Sequence, residues 1–194
     1  MMKMRSEQTG RSMVEMLGVL AIIGVLSVGG IAGYSKAMAK YKLTKAMDQV
    51  STTVTNIRTL YSGQPNYSGL TKKVAVQMGA VGAEMLNGVK PESFTSSNKV
   101  LNAFAGEVNI EATTVNSVAS AGFKVTFKGL GREACVALMS ADWGSGSGSG
   151  LVSVGSEGSA KGTVAAGTLP VSLATASGAC NAAGDTNTVE WIYY

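Results

Sequence analysis

The pattern of hydrophobic and polar positions divides the first 61 residues into two stretches. The 20 residues from Met16 to Ser35 carry no charged side chain. As an α-helix rising about 1.5 Å per residue, such a run spans roughly 30 Å, the thickness of the hydrocarbon core of a bilayer. Beyond Lys36 the apolar positions recur every three or four residues, at Leu43, Met47, Val50, Val54, Ile57 and Tyr61. The pattern predicts one helix from Met13 to Tyr61, with its first half in lipid and its second half packed on a globular head.

The remaining residues, 62–194, carry shorter patterns that predict an α+β head with an antiparallel sheet. Helical spacing predicts helices over Thr71–Met85 and Gly131–Ala141. The alternating serine and glycine of Ser145–Gly150 is typical of a flexible loop tip. Alternation of apolar and polar residues predicts strands over Phe104–Ile110, Gly122–Phe127, Leu151–Val154 and Val189–Tyr194.

The composition excludes several kinds of chemistry. The chain has no histidine and two cysteines, so it can build neither a Ser-His or Cys-His catalytic pair nor a His-ligated metal site. We therefore predict no catalytic residue, no metal and no cofactor. The net charge is +4, aromatic residues make up 6%, and the dense basic cluster directly follows the apolar run. Because nucleic-acid binders concentrate positive charge among aromatic residues, no nucleic-acid partner is predicted.

The apolar run and its charged flanks leave alternatives open. A membrane helix is favoured over a secretory signal peptide beginning at Lys3 and Arg5, because the run exceeds the usual apolar core of such a peptide. Glu15 either lies among lipid head groups or has a cationic partner, because burying an ionisable group costs free energy. Three interpretations are open for the four lysines after the run: they contact phospholipid head groups, form a solvated helix face, or pair with acidic neighbours in an assembly. These lysines are Lys36, Lys40, Lys42 and Lys45.

The two cysteines constrain the head. Cys135 and Cys180 are predicted to form a disulfide if the head lies outside the cytoplasm, where oxidation is possible. The alternative is a pair of buried thiols.

The N-terminal residues resemble a known signature. The segment Gly10-Arg11-Ser12-Met13-Val14-Glu15, followed by the apolar run, resembles the prepilin signature of type IV pilins and their pseudopilin relatives. The resemblance implies that a dedicated inner-membrane peptidase cuts between Gly10 and Arg11 and methylates the new terminus at Arg11. It also places Glu15 on the family's glutamate, which faces the terminal amine of a neighbouring subunit. Arg11 departs from the family's pattern, because the first residue of the mature chain is usually apolar in that family.

The head carries a second, patchier resemblance. The stretches Ala134–Leu138, Ala141–Gly144 and Asn187–Tyr194 are similar to type IVb pilins, in particular the bundle-forming and conjugative thin-pilus pilins. In that class a disulfide joins a helix near the middle of the head to a segment near the C-terminus, which implies a bond between Cys135 and Cys180.

Together these observations predict four segments: a leader at 1–10, a membrane and filament-core half-helix at 11–35, an amphipathic half-helix at 36–61 and a head at 62–194. The resemblance implies a structural subunit, specifically the major pilin, of a surface filament for adhesion, aggregation or mating. Its implied partners are copies of itself in a helical filament, the prepilin peptidase, the assembly platform and ATPase, and the inner membrane before assembly. The alternatives are a minor pilin or type II secretion pseudopilin, and a membrane-anchored enzyme or receptor domain.

Overall fold

A computed structural model describes residues 9–146 and 148–194, with side chains described from Met13 onward within the first helix. Gly10 and Arg11 belong to the backbone of that helix, but their side chains lie outside the described part of the chain. The leader residues Lys3 and Arg5 also lie outside it.

Helix α1 comprises Thr9–Tyr61, which is 53 residues. The predicted helix from Met13 to Tyr61 is thus confirmed, and the observed one begins four residues earlier. The absence of proline before Pro65 leaves every backbone amide of this segment able to donate along the helix. The chain divides into two compact units within α1, one ending at Tyr41 and the other comprising Lys42–Tyr194.

Within its described residues, the head contains one antiparallel sheet of six strands: β1 Val100–Leu101, β2 Glu107–Val115, β3 Val118–Leu130, β4 Leu151–Ser156, β5 Ser159–Thr163 and β6 Asn187–Tyr193. Their order across the sheet is β1-β2-β3-β6-β4-β5. The last of these strands in sequence, β6, therefore lies between β3 and β4. Three of the four predicted strands are confirmed: Gly122–Phe127 and Leu151–Val154 lie within β3 and β4, and Val189–Tyr194 matches β6 except for Tyr194.

The predicted strand over Phe104–Ile110 is wrong at its start. Residues before Glu107 form a tight turn, in which Asn102 Oδ1 accepts hydrogen bonds from the backbone N–H groups of Phe104 and Gly106. Ala105 has a φ of 63°, which is incompatible with a strand. The strand β2 begins only after this turn and continues past the predicted end.

In the part of the head that the structure describes, three α-helices accompany the sheet: α2 Lys72–Gln77, α3 Arg132–Ser140 and α4 Leu173–Ala179. The prediction of α3 is confirmed. The predicted helix over Thr71–Met85 is wrong beyond Gln77, because Gly79 adopts a left-handed φ of 76° that ends α2. Only a single 3₁₀ turn, Ala83–Met85, follows in the predicted range.

The second half of α1 supplies one wall of the head's core. Val50, Val54 and Ile57 of the predicted stripe are buried in one cluster with the inner face of the sheet, and the rest of the stripe is partly buried. The packing stripe is therefore confirmed. The sequence pattern did not identify Gln49 and Thr53, which are also buried.

A disulfide joins Cys135 in α3 to Cys180, the residue that caps α4 at its C-terminus. The two Cα atoms are 5.8 Å apart, and the bond closes a separation of 45 residues. Both cysteines are fully buried. The bond therefore fixes α4 against α3 from inside the core.

Candidate functional site

The first half of α1 is an exposed apolar surface. Every large hydrophobic side chain from Met13 to Tyr34 is between 53% and 75% exposed. Within the part of the chain that the structure describes, α1 is the one helix long and apolar enough to cross a membrane. Because so much contiguous apolar surface is unfavourable in water, this half-helix requires lipid or protein around it.

Glu15 is the one charged residue between Met13 and Ser35. Its side chain is exposed on this apolar half-helix. The predicted partner, the terminal amine of a second copy, belongs to another molecule. The pairing of Glu15 with that amine stays a prediction.

The four lysines that follow the apolar run have different surroundings. Lys36, Lys40 and Lys42 are exposed, whereas Lys45 is half-buried. Lys45 lines a cleft of about 320 Å³ on one side of α1, together with Asp48 and Glu84.

Polar side chains of α1 hold three loops of the head. Gln49 Oε1 accepts a hydrogen bond from the backbone N–H of Ala103 at 2.9 Å. Asn56 Nδ2 donates to the carbonyl of Ala80 at 3.2 Å. Arg58 Nη1 donates to the carbonyl of Ser149 at 2.6 Å. These bonds fix the loops that precede β1, β2 and β4 against α1, and nothing in the periodicity of the sequence indicated them.

Two ion pairs lie on the sheet around β2. Lys72 Nζ is 3.1 Å from Glu107 Oε1, and Lys124 Nζ is 2.9 Å from Glu111 Oε1. The hydrogen bond from Lys72 lowers the pKa of Glu107, and the hydrogen bond to Glu111 raises the pKa of Lys124. Both glutamates are thus engaged by lysines in the structure. No group of three or more metal-ligating side chains occurs among the described residues.

Aromatic side chains connect α1 to the centre of the sheet. The ring centroids of Tyr61 and Tyr67 are 5.2 Å apart, and those of Tyr67 and Phe123 are 4.8 Å apart. Phe123 in turn stacks on Tyr193 at 5.8 Å. Burial raises the pKa of Tyr193 to about 12, although the nearby Arg58 opposes the shift. The cluster fixes the end of α1 on strands β3 and β6.

The first half of α1 is an exposed apolar helix, and its second half packs on a head that contains an antiparallel sheet and a disulfide. This combination defines the fold of a type IV pilin. Two solved structures share it. A type IV pilin from Vibrio cholerae, TcpA, matches with a TM-score of 0.51 and 16% identity over 79% of this chain and 99% of that one. A type IVb pilin from Salmonella typhi matches with a TM-score of 0.51 and 22% identity over 78% of this chain and 97% of that one.

The family follows from sequence comparison. Residues 35–194 match the Bundlin family model, and the chain belongs to that family. A relative from Escherichia coli O111:H-, the major structural subunit of bundle-forming pilus, is 28% identical over 77% of this chain and 73% of its own length. The protein is accordingly a pilin structural subunit, as the sequence resemblance predicted.

Proposed function

We propose that this chain is the major subunit of a type IVb pilus, made as an inner-membrane precursor and polymerised into a filament on the cell surface. The observation that best supports this proposal is the apolar first half of α1, which is exposed along its whole described length. Burying a side chain of the size of Val, Leu or Ile contributes about 1.5–3 kcal/mol relative to leaving it exposed. Lipid covers this surface before assembly, and the same half-helices of other copies cover it afterwards.

Processing precedes assembly in this proposal. The prepilin peptidase removes the leader at residues 1–10 by cutting between Gly10 and Arg11, and Arg11 receives the methyl group. Residues 11–35 then form the membrane and filament-core segment, 36–61 the amphipathic half-helix and 62–194 the head. The glycine at position 10 and the glutamate at position 15 support this assignment.

Glu15 sets the register between subunits. In a filament core of packed apolar helices, an unpaired carboxylate costs several kcal/mol. The terminal amine of a neighbouring copy is the proposed cation. Because the pair forms only at one axial offset between helices, it selects that offset during growth.

The remaining roles belong to partners. The assembly platform and its ATPase extract the subunit from the membrane and add it to the filament, and the chain itself has no catalytic role. The assembled pilus serves adhesion, aggregation or conjugative mating. The name of the relative from Escherichia coli, the major structural subunit of bundle-forming pilus, supports aggregation among these uses.

Comparing cells with and without the gene for this chain tests the proposal. Electron microscopy is expected to show abundant surface filaments only in cells that make it, and intact mass of the sheared filaments is expected to match a methylated chain beginning at Arg11. Equal filament numbers in both cells, with this chain as a trace component, would instead indicate a minor pilin. Absence from surface filaments altogether would contradict a pilus role.

A further inference from the structure

Two exposed tyrosines and two exposed lysines mark the point where the apolar run of α1 ends. Tyr34 is 66% exposed and Tyr41 is 60% exposed, and Lys36 and Lys42 are exposed as well. Among the described residues, neither of these two lysines forms an ion pair with another side chain. Residues 34–42, the juxtamembrane segment, therefore present two ammonium groups and two aromatic rings to their surroundings.

The juxtamembrane segment has no negative charge on its own helix to neutralise it. From Met16 to Met47, α1 contains four lysines and no aspartate or glutamate. Lys36 and Lys42 therefore have no carboxylate three or four residues away, the spacing at which charges on one helix pair. A second copy of the chain carries the same acid-free stretch. Two α1 helices aligned side by side over these residues therefore supply no counter-charge to each other.

The segment begins at the surface of the bilayer. The uncharged run from Met16 to Ser35 matches the hydrocarbon thickness, and Lys36 follows it directly. Lys42 is seven residues beyond Ser35, or about 10 Å of helix, which is close to one Debye length at physiological ionic strength. The flexible stem of a lysine lets its ammonium group reach back toward the head-group layer. Both ammonium groups therefore lie within reach of lipid phosphates.

The two tyrosines are spaced like residues of an interfacial aromatic belt. Tyr34 and Tyr41 are seven residues apart, which is close to two helical turns, so both rings project from the same side of α1. Tyrosine is enriched at the surfaces of a bilayer because its ring is apolar and its hydroxyl is polar. The tyrosine pair and the lysine pair thus both fit the surface of a bilayer that contains anionic lipid.

We propose that the juxtamembrane segment docks on anionic phospholipid head groups of the leaflet from which α1 emerges, with Lys36 and Lys42 as the contacting cations. The inference rests on the proposed function, since it concerns the subunit before assembly. Each lysine near an anionic surface strengthens binding about fivefold. Anionic lipid therefore holds the subunit in the membrane, and assembly has to overcome this attraction. Lys40 is assigned no role because it is already engaged within the molecule, and Lys45 because it lines a cleft together with Glu84.

Amine labelling in lipid nanodiscs tests this contact. The full chain is inserted, one copy per disc, into phosphatidylcholine alone or into phosphatidylcholine mixed with phosphatidylglycerol. Lysines are acetylated with an N-hydroxysuccinimide ester, and mass spectrometry gives the rate at each position. Lys36 and Lys42 are expected to react several-fold more slowly in the anionic discs, and high salt should remove the difference. Lys73 and Lys90, exposed in the head, are the controls and should react equally in both discs.

Two outcomes of the labelling would overturn the inference. Equal rates for Lys36 and Lys42 in the two kinds of disc would show that anionic lipid does not contact them. Slower reaction that occurs only in assembled filaments would identify acidic side chains of a second copy as the occupant of this segment instead.

A double variant gives a second readout. Lys36→Gln with Lys42→Gln removes both charges, and Lys73→Gln with Lys90→Gln changes the net charge equally in the head. Native mass spectrometry of the full chain from mixed micelles is expected to show that wild type retains phosphatidylglycerol in preference to phosphatidylcholine. This preference should fall at least fivefold in the first variant and persist in the second. An equal fall in both variants would overturn docking at this segment, and unchanged urea midpoints would confirm that both fold.

These measurements use single chains in lipid or detergent, so their failure is distinguishable from a failure of the proposed function. Filaments on cells together with unselective lipid binding would overturn the docking alone. Cells without filaments would contradict the proposed function, whereas slower labelling of Lys36 and Lys42 in anionic discs would still support the docking.

Discussion

Gln49 on α1 and Ala103, just after β1, are joined by a hydrogen bond of 2.9 Å from the backbone N–H of Ala103 to the side-chain oxygen of Gln49. Gln49 is almost fully buried, so this amide lies within the apolar stripe of the helix. It connects the helix directly to the tight turn that precedes β2.

Replacing Gln49 with leucine is expected to destabilise the head although it adds apolar surface. The N–H of Ala103 loses its partner, and an unsatisfied, partly buried donor costs about 1 kcal/mol or more. Both tryptophans lie in the head, so tryptophan fluorescence during urea unfolding in detergent reports this change. Thr52→Ala, on the exposed side of the same helix, should alter stability by less than about 0.5 kcal/mol. Equal midpoints for the two variants would contradict the role given to Gln49.

The disulfide between Cys135 and Cys180 should contribute substantially to the stability of the head. The separation of 45 residues corresponds to about 4 kcal/mol in the chain-entropy estimate, with smaller values common in practice. Cys180→Ser is expected to lower the urea midpoint by a corresponding amount, and reduced wild-type protein should unfold with the variant. A variant as stable as the oxidised wild type would show that the bond is dispensable for folding.

Alkaline unfolding should depend on Tyr193. Because burial raises its pKa to about 12, while an unfolded tyrosine ionises near pH 10, ionisation favours the unfolded chain between these values. The stabilisation is complete below pH 10 and is lost as the pH rises towards 12. Tyr193→Phe should reduce this loss, and Tyr194→Phe, at a half-exposed neighbour, should retain it. Identical alkaline profiles for wild type and Tyr193→Phe would exclude Tyr193 as the source.

Acid sensitivity should depend on Glu107. The hydrogen bond from Lys72 lowers the pKa of this carboxyl in the folded chain. The pair therefore stabilises the folded state at pH values above the pKa of Glu107 in the unfolded chain. This stabilisation is lost as the pH falls through the lower pKa of Glu107 in the folded chain. The side chain of Glu107 is 35% exposed, and solvent screening limits the effect to less than about 1 kcal/mol. Urea midpoints measured from pH 6 to pH 3 should fall less steeply in Glu107→Gln than in wild type. Glu92→Gln, at an exposed position, is the control; a wild-type slope in Glu107→Gln would refute the assignment.

Filament growth should depend on the charge of Glu15. Glu15→Gln keeps the size of the side chain and is expected to insert, be processed at Gly10 and fold its head, because none of these steps uses the proposed pair. Growth should be lost or strongly impaired, since the register-setting attraction is gone. The measurement is sheared filament relative to mature subunit in the membrane. A normal ratio would contradict the pairing and favour the alternative interpretation, in which Glu15 lies among lipid head groups.

The elements predicted well are those whose apolar spacing extends over several turns or alternations. The stripe from Leu43 to Tyr61 identified the packing face of α1, and alternation identified the middle of β3. The end of α2 was missed because the apolar spacing continues through Gly79, whose backbone conformation overrides it. Strand β5 and helix α4 were missed because their residues are mostly small or polar and carry no period.

Residues that act by a single polar contact were harder to find. Gln49 interrupts an apolar stripe, and Arg58 stands among exposed hydroxyl residues, so neither position signals a partner in a distant loop. Both bonds depend on chain segments more than 50 residues away in sequence. The N-terminal residues Gly10 and Glu15 were identified by resemblance alone, and their roles depend on other molecules.

The position of β6 determines when the sheet of the head can close during folding. This strand is the last in the chain, yet it pairs with β3 on one side and β4 on the other. In a chain whose residues 187–193 have not yet paired, β3 and β4 each have an open edge. Open edges are the surfaces on which unfinished chains stick to one another. Pairing of β6 with both neighbours closes these two edges, which makes the C-terminal strand the segment that protects the sheet from association with other chains.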